Sequence, residues 1–141
     1  MKYIIFVLLT IFLNSCNSKQ LILLKSSSQT WSTTDKNISG TNYHFLLKTL
    51  ANKNELQIDS LCVKNKLITN FHYSVIGKSN TYTNYIKEDS IIISINEPNI
   101  KTTNNKTCAC LKNYASCIYY TYKNKNYQLN VDSIIILQNL K

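Results

Sequence analysis

The chain has 141 residues, 44% of them apolar, with two glycines, one proline and a net charge of +9. This length and composition suit one ordinary core, and they exclude a collagen, a flexible linker and a disordered chain. Gly40 and Gly77 cannot by themselves build a glycine-rich phosphate cradle. Lysine alone supplies the positive charge, in scattered single positions. The absence of arginine argues against nucleic acid as a partner, because base and phosphate reading leans on its bidentate fork.

At the N-terminus Lys2 precedes an apolar run, Ile4 to Leu13, broken only by Thr10. Ten residues are too few to span a bilayer, which needs about 20, but they suit the core of a signal peptide. Leu13-Asn14-Ser15-Cys16 follows and resembles the lipobox of bacterial lipoproteins. The resemblance implies that residues 1–15 are removed and that Cys16 becomes the lipidated first residue, a membrane anchor carrying acyl chains such as palmitate. Asn17 stands where an Asp would resemble an inner-membrane retention signal, so the expected address is the cell envelope at the outer membrane. Cleavage before Lys19, giving ordinary secretion, is the rival reading.

Residues 16–40 read as the lipidated cysteine, a polar tether and a first strand, and residues 41–141 as the folded domain. From Thr41 the chain alternates, with Tyr43, Phe45 and Leu47 on one face. Glu55 to Val63 alternates again with a bulge before Leu61, and Lys64-Asn65-Lys66 turns into a strand over Leu67 to Ile76. A weaker strand is expected over Thr81 to Ile86. Ile91 to Ile95 and Ile134 to Leu137 read as buried strands. Cys117 to Tyr122 and Asn126 to Val131 flank a hairpin tip at Lys123-Asn124-Lys125. Seven or eight strands without a helical stripe predict an all-β chain, a single antiparallel β-sandwich.

Beyond Cys16 there are four cysteines, Cys62, Cys108, Cys110 and Cys117, an even number that in an exported protein reads as two disulfides. A Cys108–Cys110 bridge closes a very tight ring. Cys62 is therefore expected to bond one of that pair and Cys117 the other, in either order. The competing chemistry is a thiolate site for a soft metal, but no histidine lies near, so no metal or other cofactor is assigned. His44 and His72 fall in strand-like segments without zinc-site spacing. Glu55, Asp59, Glu88, Asp89 and Glu97 read as solvated turn and strand-edge positions. Tyr119, Tyr120, Tyr122 and Tyr127 crowd one hairpin and Tyr82 and Tyr85 another region, as cross-strand packing or as a platform for a glycan or protein ligand.

Asp59-Ser60-Leu61, Asp89-Ser90-Ile91 and Asp132-Ser133-Ile134 share a pattern. It resembles the O-glycosylation sequence of exported Bacteroidetes proteins, making Ser60, Ser90 and Ser133 candidates. Gln29-Thr30-Trp31, Gly40-Thr41-Asn42-Tyr43, Leu56-Gln57-Ile58-Asp59-Ser60-Leu61, Ile118-Tyr119-Tyr120 and Tyr127-Gln128-Leu129 together resemble a group of small flavobacterial lipoproteins of unknown function. That resemblance implies an exported β-rich domain and no activity. The expected function is a membrane-anchored, non-enzymatic binding or structural module. The alternative is a small hydrolase or a thiolate metal-handling protein.

Overall fold

The computed structural model describes residues 19–34, 38–99, 106–110 and 114–139. Cys16 and residues 1–15 lie outside that set. The described residues contain no helix and nine strands: β1 Leu21–Ser32, β2 Ser39–Thr49, β3 Leu56–Val63, β4 Lys66–Ile68, β5 His72–Val75, β6 Ser90–Pro98, β7 Ser116–Tyr122, β8 Lys125–Val131 and β9 Ile135–Ile136. They form a five-stranded sheet, β5-β6-β2-β1-β9, and a four-stranded sheet, β4-β3-β7-β8. Every pairing is antiparallel except β1 with β9.

Alternation in the sequence explains how the sheets meet. Tyr43, Phe45 and Leu47 of β2 and Ile91, Ile93 and Ile95 of β6 point inward from the larger sheet. Leu56, Ile58, Leu61 and Val63 of β3, with Ile118 and Tyr120 of β7, point inward from the smaller one. The register of β3 against β7 shifts between Ile58 and Ser60, and this bulge keeps Leu61 and Val63 on the inner face. Both tight hairpins use two residues at positive φ, Lys64 (49°) with Asn65 (63°) and Lys123 (47°) with Asn124 (62°). That geometry matches the right-handed twist of the strands they join.

Four sequence expectations change. The segment from Leu67 to Ile76 is two short strands in different sheets, β4 and β5. Thr81 to Ile86 is a loop, not a strand, and it drives Tyr85 into the core, where the hydroxyl donates to the Leu56 carbonyl at 2.5 Å. Ile135 and Ile136 are exposed because β9 is a two-residue edge strand, not a buried one. β1 also lies inside the larger sheet, so the sandwich begins at Leu21 and β2 begins before residue 41. Ser26, Ser27 and Ser28 are buried there, and Ser26 Oγ donates to the Ser133 carbonyl at 2.6 Å.

Candidate functional site

Cys62 and Cys117 sit opposite one another in the β3–β7 register. Their neighbours Leu61, Val63 and Ile118 belong to the core cluster, so alternation turns both sulfurs to the outer face of the smaller sheet. Both cysteines are nevertheless buried, because residues 106–110 lie over them. That segment runs along the β4 hairpin: the Leu67 N–H donates to the Lys106 carbonyl at 3.0 Å, and the Cys108 N–H to the Asn65 carbonyl at 3.1 Å. Cys62 stands at disulfide distance from Cys108 and Cys110 from Cys117, with Cα–Cα separations of 5.9 and 5.8 Å. The sulfurs of Cys62, Cys110 and Cys117 lie within 4.8 Å of one another. Beneath them Ser116 Oγ donates to the Cys62 carbonyl at 2.7 Å.

A second constellation escapes sequence spacing altogether. Ser94 of β6 is the register partner of His44 on one side and of His72 on the other, so the three form a row across β2, β6 and β5. His44 Nδ1 lies 3.1 Å from Ser94 Oγ. A groove of about 490 Å³ beside this row is lined by His72, Tyr73, Thr81, Thr83 and Ser94 among others. The only signal available in sequence is alternation within each strand, which places neither histidine opposite the serine until the strand order is known.

Among the described residues, Glu55, Asp59, Glu88, Asp89 and Glu97 do not converge on one site. Glu55 pairs with Lys123, Glu88 with Lys48, Asp89 with Lys78 and Glu97 with Lys66. Asp59 accepts from Thr121 Oγ1 at 2.8 Å. The Ile86 N–H and then the Lys78 ammonium hold the Asp89 carboxyl below its usual range.

The tyrosines are turned mostly inward. Tyr120 is buried and stacks on Tyr127 with ring centroids 5.4 Å apart, while Tyr122 and Tyr127 pack against the core. Of the six tyrosines in the two clusters only Tyr82 is exposed, with Lys78 Nζ 4.7 Å from its ring centroid. Ser60 is half-buried in β3, Ser90 is half-buried at the first position of β6, and Ser133 is exposed in the β8–β9 link. The three Asp-Ser-aliphatic sequences therefore occupy three unlike settings.

These features define an all-β domain with two cysteine pairs at disulfide distance between a surface segment and one sheet. No family model matches the chain, and neither does any curated protein or solved structure. Among the described residues no helix is long and apolar enough to cross a membrane.

Proposed function

We propose that this chain is an exported lipoprotein, anchored at the outer membrane through acylated Cys16. Its β-sandwich serves as a non-enzymatic binding or structural module. The observation that carries the reading is Leu13-Asn14-Ser15-Cys16 at the end of a ten-residue apolar run. Cysteines at disulfide distance support it, since such pairs persist in oxidising compartments such as the envelope. A protein or glycan is the proposed ligand class, and at least one of Ser60, Ser90 and Ser133 is proposed to carry an O-linked glycan.

The test is metabolic labelling with palmitate in a bacterial host. The reading predicts label on the native chain and none on Cys16→Ala, which should also stay unprocessed. Unlabelled native protein released in soluble form would favour ordinary secretion instead.

The approach of Cys62, Cys110 and Cys117 within 4.8 Å supports a second reading, a soft-metal thiolate site in the reduced chain. Under that reading the protein would leave its membrane with a bound metal and with thiols that alkylate without prior reduction.

A further inference from the structure

We infer that the flank formed by β1 and β9 is a membrane-seating face whose partner is an anionic phospholipid surface. This inference rests on the proposed anchor at Cys16. Only Asn17 and Ser18 separate Cys16 from Lys19, and three residue steps reach at most about 10 Å. An acylated Cys16 therefore keeps Lys19 near the headgroups, and the start of β1 at Leu21 lies within about 17 Å of the anchor.

The surface that begins there has the composition such a position demands. Nine large apolar side chains are exposed among the described residues, and five of them belong to this flank: Ile22, Leu24, Ile135, Ile136 and Leu137. Ile136 is the most exposed of the nine at 82%. The Ser27–Ile135 and Ser28–Ile136 pairings place β9 along the β1 edge, so apolar side chains project from both faces of that edge. Between them a groove of about 420 Å³ is lined by Ile22, Leu24, Ile135, Lys19, Lys25 and Asp132 among others. Two lysines outnumber the single carboxylate, and apolar residues rimmed by lysine are the pattern of an interfacial membrane contact. Ser133 also lines this groove, so seating would cover it and leave Ser60 and Ser90 as the accessible modification positions.

The test uses the full chain, purified from membranes and returned to vesicles of phosphatidylcholine and phosphatidylglycerol containing a diazirine-tailed phospholipid. After irradiation and trypsin, the inference predicts lipid adducts on peptides 20–25 and 126–141. Labelling there should exceed that of peptide 79–87, which carries the exposed Tyr82 and Ile86 of a distant loop, by about five-fold or more. The double variant I135E/I136E should lose the adduct on 126–141 while keeping its acyl mass and its flotation with vesicles. A protein that floats with acyl mass on Cys16 but labels all three peptides alike overturns the seating face and spares the anchor. Protein–protein adducts across 126–141 would assign the flank to a second copy, and a glycan on Ser133 would leave it facing solvent; either overturns the inference. Absence of acyl mass and of flotation overturns the anchor, and the seating face with it.

Discussion

Cys62 and Cys117 face one another across β3 and β7, yet each stands at disulfide distance from a different residue of the segment that covers them, Cys62 from Cys108 and Cys117 from Cys110. A bond between the two facing cysteines would only duplicate the strand pairing. Bonds in the pairing the distances favour would instead tie one surface segment to both strands.

The two bridges should differ in worth. Cys62 and Cys108 are 46 residues apart and Cys110 and Cys117 only seven. Loop-closure entropy assigns about 4 kcal/mol to the longer loop and about 2.5 kcal/mol to the shorter. Urea unfolding of the double variants C62A/C108A and C110A/C117A should therefore show the larger loss for the first pair. Equal losses would place the stabilisation in the buried sulfurs themselves.

Trp31 and Gly40 are register partners in β1 and β2, and the indole lies across the glycine. A Cβ at Gly40 would fall 2.6 Å from Trp31 Cζ2 and 2.6 Å from the Glu97 carbonyl oxygen. The carbonyl belongs to the neighbouring strand and cannot move aside cheaply. Gly40→Ala should cost about 1–3 kcal/mol by denaturant titration, with Trp31 fluorescence reporting a displaced indole.

Tyr85 and Tyr120 supply a pH dependence. Burial pushes both phenols above their ordinary range, Tyr85 most strongly. The unfolded chain releases these protons near pH 10, while the folded chain still holds them. Their contribution is thus complete below about pH 10 and is lost as pH rises through the folded values. Tyr85→Phe should lose about 1–2 kcal/mol at neutral pH with its bond to the Leu56 carbonyl. It should also show a shallower alkaline decline than the native chain. An unchanged alkaline slope would contradict the assignment to Tyr85.

Asn124 holds a left-handed conformation at the β7–β8 hairpin, φ 62°. Glycine adopts this conformation freely and alanine does not. Asn124→Gly should be neutral or slightly stabilising, whereas Asn124→Ala should cost about 1 kcal/mol. Thermal unfolding of the two variants measures the difference.

Where one face of a strand is buried, the sequence was legible. The inward run of Tyr43, Phe45 and Leu47, the bulge before Leu61 and both lysine-asparagine turns follow from alternation and turn chemistry. Long-range pairing was not legible. Nothing local says that Ile68 and Val75 belong to different sheets, or that Tyr85 fills the core from a loop. The serines of β1 look like a tether because their burial depends on the distant 132–137 segment. The apolar run of β9 looks buried because hydropathy does not reveal an edge position. The His44–Ser94–His72 row needs the order of three strands.

The central claim is an acylated chain whose domain is stapled by two disulfides, and intact mass of the protein extracted from membranes tests it most directly. The protein is alkylated with and without prior reduction. The account predicts a mass beginning at Cys16 with acyl chains attached, no alkylation before reduction, and four added groups after it. Four groups added without reduction, or a mass retaining residues 1–15 and no lipid, would contradict it.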